Sequence, residues 1–124
     1  MTNTDQHTNK RSTGNYGEQL AEEFLKNLGY EIVKKNFHYG HGEIDLIAKD
    51  KDVLVFVEVK YRKNLDFGEP EYAVNKSKQN QIRKIAEAYL AINKITDQDS
   101  RIDVVAILQL SGQKPQINHY INAF

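Results

Sequence analysis

Two short apolar runs, each broken by charge, constrain this chain more than anything else in it. Gly42-Glu43-Ile44-Asp45-Leu46-Ile47-Ala48 sets Asp45 between apolar Ile44 and the apolar run Leu46-Ile47-Ala48. Val53-Leu54-Val55-Phe56-Val57-Glu58-Val59-Lys60 takes five apolar residues straight into Glu58, with Lys60 two places on. Strands apolar on both faces are usually central and buried. An Asp, a Glu and a Lys in such strands carry a desolvation penalty of several kcal/mol per ion unless each is paired or bound to metal.

Strand parity decides whether the three can meet. Side chains alternate across a sheet, so Leu54, Phe56, Glu58 and Lys60 share one face. Asp50-Lys51-Asp52 separates the two runs and reads as a hairpin turn. With an even-numbered loop, 49–52 or 50–51, Ala48 pairs with Val53, Asp45 opposes Phe56 and Glu43 opposes Glu58. Asp45 is then a diagonal neighbour of Glu58, roughly 7–8 Å between backbones, and the two carboxylates can close on one cation. An odd loop flips one strand and destroys the arrangement.

Mg²⁺ and Mn²⁺ favour a few carboxylate oxygens, a backbone carbonyl and several waters, and Asp45 with Glu58 supplies such a set. Lys60, on the same face, could orient or deprotonate an attacking water, or neutralise phosphate charge. The competing reading is a buried ion cluster of Lys60 with the two acids. Glu18 lies seven residues before Leu25, about 20° off the apolar stripe of a 3.6-residue helix. It joins the carboxylates or, more simply, complements the helix dipole in the first turn. Glu22 and Glu23 fall at solvated angles.

The pattern around these runs predicts one α/β domain over residues 14–124, behind a flexible polar tail of residues 1–13 with no large apolar residue after Met1. A helix starts at Asn15, carries Leu20, Ala21, Phe24, Leu25 and Leu28 on one stripe, and stops at Gly29. Strands follow over 30–38, Glu43 to Lys49 and Val53 to Tyr61, then a loop from Arg62 to Ala73 holding Gly68 and Pro70. A second helix, with Asn75 as N-cap, runs to Asn93 and turns Ile82, Ile85, Ala86, Tyr89 and Leu90 to the core. Strands over 101–110 and Gln116 to Ile121 complete a mixed sheet flanked by helices, in the order α-β-β-β-α-β-β.

Charge is graded along the chain although it sums to zero, 17 basic against 17 acidic groups. Residues 1–59 hold seven basic and ten acidic groups, a balance of −3, and residues 60–84 hold seven and three, a balance of +4. A basic segment directly after an acidic one suits a phosphate backbone beside a metal-binding cluster; the simpler reading is a mixed solvated surface. Within the segment, Arg62 and Lys63 just past Lys60 are best placed for backbone phosphates, with Lys76, Asn80, Arg83 and Lys84 near one face of the second helix. Overall neutrality argues against coating nucleic acid by bulk attraction. The absence of cysteine excludes disulfides, iron–sulfur clusters, thiolate zinc sites and a cysteine nucleophile. With no apolar stretch long enough to cross a bilayer and no secretory-type N-terminus, a cytoplasmic home is expected. His38 and His41 flank a turn ahead of Asp45 and read as exposed. Tyr61, Tyr72 and Tyr89 are candidates for base stacking, Tyr89 more simply for packing. Asp103, inside an apolar strand, is expected to pair with Arg101. No P-loop, Rossmann glycine pattern or Gly-x-Ser-x-Gly elbow is present.

An Asp in one strand and a Glu-x-Lys in the next resemble the active site of the PD-(D/E)XK nucleases. Local wording sharpens this: Gly17-Glu18-x-x-Ala21, Gly42-Glu43-Ile44-Asp45-Leu46-Ile47-Ala48, Phe56-Val57-Glu58-Val59-Lys60-x-Arg62 and the ending Asn122-Ala123-Phe124 resemble the small bacterial YraN-like family. That family is similar in layout to archaeal Holliday junction resolvases, and the resemblance covers residues 14–124. It implies a restriction-endonuclease-like αβββαβ core, with metal on Asp45, Glu58 and the Val59 carbonyl, and Glu18, Asp45, Glu58 and Lys60 as catalytic residues. Ile44 stands where the motif's Pro would be, a position dispensable across the superfamily. The implied function is Mg²⁺- or Mn²⁺-dependent hydrolysis of DNA phosphodiesters, with branched or unusual structures as candidate substrates and a homodimer as candidate assembly. The alternatives are a nucleic-acid-binding adaptor without turnover and a protein-interaction domain whose acids and lysine form a structural cluster.

Overall fold

The computed structural model describes residues 2–65 and 70–124, with side chains from residue 15 onward. Elements follow in the order α1 (Thr2–Asn27), β1 (Glu31–Tyr39), β2 (Gly42–Asp50), β3 (Val53–Arg62), α2 (Lys76–Ile92), β4 (Ser100–Leu108) and β5 (Gln116–Tyr120). The order is the one expected from sequence. Residues 66–69 of the expected loop, with Gly68, lie outside the described residues. α1 begins at Thr2, ahead of the expected Asn15, so helical backbone runs through the segment read as a tail. Residues 2–13 hold no large apolar residue, and a helix polar all round offers no hydrophobic period to read.

The five strands form one mixed sheet in chain order, antiparallel throughout except for parallel β3 and β4. A parallel pair needs a crossover, and α2 supplies it. Each face has its own core. Ala21 and Leu25 of α1 pack on Leu46, Ala48, Val55, Val57, Val105 and Ile107; Ile82, Ile85, Ala86 and Tyr89 of α2 pack on Ile44, Ile47, Leu54, Phe56 and Ile102. β3 and β4 are apolar on both faces because both faces are covered. Asn75 caps α2 as expected, its side chain accepting from Lys78 N at 2.8 Å.

The β2–β3 hairpin corrects the predicted register. Asp50 pairs with Val53 across a two-residue turn, Lys51-Asp52, in which Lys51 adopts φ +56°. Phe56 therefore opposes Ile47, where the sequence placed Asp45, and Ala48 opposes Val55, where it placed Val53. The loop is even, so face parity survives. The slide of two residues brings Asp45 one step beyond the last paired rung, Leu46 with Val57, level with Glu58.

Candidate functional site

The site forms where β2 and β3 part. Ile44 belongs to the core under α2 and Leu46 to the core under α1, although residues two apart in a regular strand share a face. The alternation slips at Asp45. Its carboxylate accordingly lies in the gap between the strands, and Asp45 Oδ2 accepts the Val59 N–H at 2.8 Å where the ladder has ended. In β3, Leu54 N donates to Asp99 O and Arg62 O accepts from Gln109 N, so even-numbered residues turn their main chain to β4 and odd-numbered ones to β2. The Val59 carbonyl thus faces the same gap as its N–H.

From the gap Asp45 reaches carboxylates contributed by both faces of the sheet. Towards α1, ligand oxygens of Glu18, Glu43 and Asp45 all lie within 4.8 Å of one another. Towards α2, the Asp45 carboxyl lies beside that of Glu58, close enough for the two to share a proton when one is protonated. Glycine seats both helices close to this point. A Cβ on Gly17 would come 2.9 Å from Tyr61 Cβ, and one on Gly42 would come 2.7 Å from Gln81 Nε2 and 2.8 Å from Ile85 Cδ1. Gly17 thereby lets α1 settle on β3 with Glu18 beside Asp45.

So many acids in one place hold protons. Burial, then the Asp45 charge, pushes Glu58 up to about 8. Burial, followed by the Asp45 and Glu43 charges, raises Glu18 to about 7. Asp45 is also raised by burial, against the pull of the Val59 N–H. Desolvation combined with like-charge crowding is the environment in which carboxyls are tuned for chemistry or kept ready for a cation.

Lys60 shares the Glu58 face, and its Nζ donates to the Ala73 carbonyl in the segment leading into α2. Lys78, in the first turn of α2, brings its Nζ to 3.8 Å from Glu58 Oε2. Glu58, Lys60, Ala73, Val74, Asn75 and Lys78 line a cavity of about 220 Å³.

Glu18, Asp45, Glu58, Lys60 and Val59 are thus brought together. Arg62 ends β3 half-buried and Lys63 follows it, exposed. Lys76 is exposed at the start of α2. Arg83 is directed elsewhere: its guanidinium lies 5.4 Å from the Phe124 ring, in a different cavity lined by Phe56, Leu90 and Ile102. Glu43 and Lys78 belong to the cluster but were not singled out in the sequence. Glu43 escaped because the slip at Asp45 is invisible in the pattern; Lys78 had a signal, a lysine at the positive end of a helix. His38 Nε2 sits 3.2 Å from Glu43 Oε2 and is itself exposed. Tyr89 is buried, edge-on to Phe37 and Phe56. Asp103 pairs with Arg101 as expected, Nε to Oδ1 at 2.9 Å, and also accepts from Asn122 N at 2.9 Å and meets His119 Nε2 at 2.8 Å.

A mixed five-stranded sheet covered by helices, with its carboxylates gathered where two central strands diverge, defines an α/β protein compatible with a restriction-endonuclease-like core. Comparison with known proteins carries this to a family. The pattern described as uncharacterised protein family UPF0102 matches residues 17–107. A UPF0102 protein of Geotalea daltonii is 48% identical over 114 residues, covering 92% of this chain and 90% of its own. One from Geobacter sulfurreducens is 45% identical over 118 residues, 95% of this chain and 91% of its own. One from Acetivibrio thermocellus is 49% identical over 100 residues, 80% and 77% of the two chains. The chain belongs to the UPF0102 (YraN) family. Among the described residues no helix is long and apolar enough to cross a membrane.

Proposed function

We propose that this protein is a metal-dependent nuclease-like domain that hydrolyses DNA phosphodiesters, with branched or otherwise unusual DNA as its preferred class of substrate. The observation that carries the reading is the placement of Asp45 in the sheet gap, between Glu18 and Glu43 on one side and Glu58 on the other, with Lys60 on the adjoining strand. The donor set is all hard oxygen, which suits Mg²⁺ or Mn²⁺ and offers nothing to a thiophilic metal. Asp45, Glu58 and the Val59 carbonyl would hold the cation, with Glu18 and Glu43 within reach. When bound, a divalent cation polarises a phosphate oxygen and makes water a stronger acid. With its carboxyl raised to about 8, Glu58 would have to give up a proton to serve as a ligand, so loading would release protons. Lys60 positions the attacking water or neutralises charge on the phosphate.

The test is a cleavage screen over duplex, nicked and four-way DNA in Mg²⁺ and in Mn²⁺, with Asp45→Ala and Glu58→Ala beside the parent. Metal-dependent cleavage that both substitutions abolish, in proteins that remain folded, is the expected outcome. No cleavage by the parent, together with no calorimetric heat of Mn²⁺ binding, overturns the reading. A second reading, a DNA-binding adaptor without turnover, draws on one observation: the Lys60 amine is engaged by the Ala73 carbonyl.

A further inference from the structure

Glu58 divides the site by charge. On its β2 side stand Asp45, Glu43 and Glu18; on its α2 side the other charged groups lining the 220 Å³ cavity, among the described residues, are Lys60 from β3 and Lys78 from α2. At ~30 Å³ per water, that space admits a phosphate group and several waters. Lys78 is held there by its backbone. Its N–H donates to the Asn75 side chain at 2.8 Å, Gln79 Nε2 fixes the Val74 carbonyl at 2.8 Å, and Lys60 fixes the carbonyl of Ala73.

The location works against helix stability. The first turn of α2 holds Lys76 and Lys78 and no acid, although the positive pole of a helix favours carboxylates there and disfavours ammonium groups. Glu58 offsets Lys78 only loosely. Their 3.8 Å separation is long for an ion pair, and the Lys78 side chain is 39% exposed. A cation at an unfavourable place, weakly paired and lining a polar cavity, is free to take a better anion.

We infer that Lys78 is a substrate-contacting residue, which leaves Glu58 to bind a non-bridging oxygen of a backbone phosphate seated in the cavity between α2 and β3. The inference rests on the nuclease reading for its substrate class but not for turnover. A phosphate held here lies beside Glu58, with carboxylates beyond it on one side and two ammonium groups on the other. Lys78 contributes point-charge attraction without base readout, so its effect is independent of sequence.

Salt-dependent binding of a short fluorescein-labelled duplex tests it, by anisotropy in a low fixed concentration of Ca²⁺, with Lys78→Gln, Lys78→Arg and Lys94→Gln against the parent. Each phosphate contact contributes about 0.9 to the slope of log affinity against log salt on duplex DNA. Lys78→Gln is expected to weaken binding and flatten the slope by about that amount. Lys78→Arg is expected to keep the slope, and so is Lys94→Gln, just beyond the far end of α2. An unchanged slope in Lys78→Gln overturns the inference, and a lower melting temperature alongside it would make Lys78 a structural partner of Glu58. No salt-dependent binding by the parent also overturns it. Failure of the nuclease reading is separate: binding that depends on Lys78, with no cleavage in Mg²⁺, leaves a phosphate-binding lysine in a protein without turnover.

Discussion

Replacing Glu58 by Gln should make the protein more stable at alkaline pH, because the carboxyl sits where it resists ionisation. The unfolded chain releases this proton near 4.5 and the folded one near 8. Between those values the native state binds more protons than the unfolded state, so stability falls as pH rises through the window. The groups facing Glu58 set the sign. Asp45 on β2 opposes its ionisation, and Lys60 on β3 and Lys78 on α2 favour it, but burial is the largest influence. At about 1.4 kcal/mol per pKa unit the penalty above pH 8 has a ceiling of about 5 kcal/mol. Asp45 and Glu58 titrate as a pair, so Glu58 alone carries a share nearer ~2 kcal/mol. For a chain of 124 residues that is a rise in Tm of roughly 7 °C.

Thermal melting by circular dichroism from pH 5 to 9, in chelator, reads this directly. The parent should lose Tm across the range, Glu58→Gln should lose much less, and the two should converge near pH 5. Saturating Mn²⁺ should reverse their order, since a ligand at about 100 times its Kd adds ~2.7 kcal/mol to a protein that binds it and nothing to one that does not. A Glu58→Gln protein that melts below the parent at pH 8 in chelator would refute the reasoning. The carboxylate would then be a stabilised member of an ion cluster with Lys60 and Lys78, and the protein-interaction alternative would gain.

Two further perturbations test the frame that holds the site. Asp103 is fully buried, and although burial pushes its pKa up, hydrogen bonds from His119, Arg101 and the Asn122 N–H outweigh it and hold it below the usual carboxylate range. Asp103→Asn should cost about 3–5 kcal/mol in urea unfolding at neutral pH; the difference from the parent should narrow as pH falls through the depressed native value, and a cost under about 1 kcal/mol would refute the pairing. Gly17→Ala puts a Cβ 2.9 Å from that of Tyr61, so it should lower stability by about 1–3 kcal/mol and weaken Mn²⁺ binding in calorimetry by lifting Glu18 away from Asp45. Unchanged metal affinity would show that Glu18 is not held by that contact.

Hydrophobic period carried most of the fold. Element order, the Asn75 cap and the two-faced burial of β3 were legible because each rests on local pattern: a 3.6-residue stripe, a capping side chain, a continuous apolar run. Parity of the hairpin was legible for the same reason, and its register was not. Asp50-Lys51-Asp52 offers no glycine or asparagine to mark the turn, and Lys51 takes a positive φ that lysine rarely adopts. Asp103 could be matched to Arg101, two residues away on one strand face, but His119 and Asn122 arrive from β5 and beyond through tertiary pairing alone. The slip at Asp45 was hidden because Glu43-Ile44-Asp45-Leu46 alternates charged and apolar residues as a regular strand would.

That slip explains why one aspartate can serve carboxylates from opposite faces of a sheet. A side chain on a regular strand commits to one face, so Glu18 on α1 and Glu58 towards α2 would ordinarily be separated by the sheet itself. By lying in the plane where the β2–β3 ladder ends, Asp45 belongs to both sides, and the Val59 N–H it accepts replaces a rung the ladder has lost. The zero net charge takes on a meaning at the same point. Carboxylates alone would repel a phosphodiester, and lysines alone would grip DNA anywhere along its length. On the nuclease reading proposed above, a boundary between them, drawn at Glu58, would favour a phosphate only where a cation can sit beside it. Local polarity of this kind needs no excess of basic residues, which is why overall neutrality and a grip on one phosphate are compatible in the same chain.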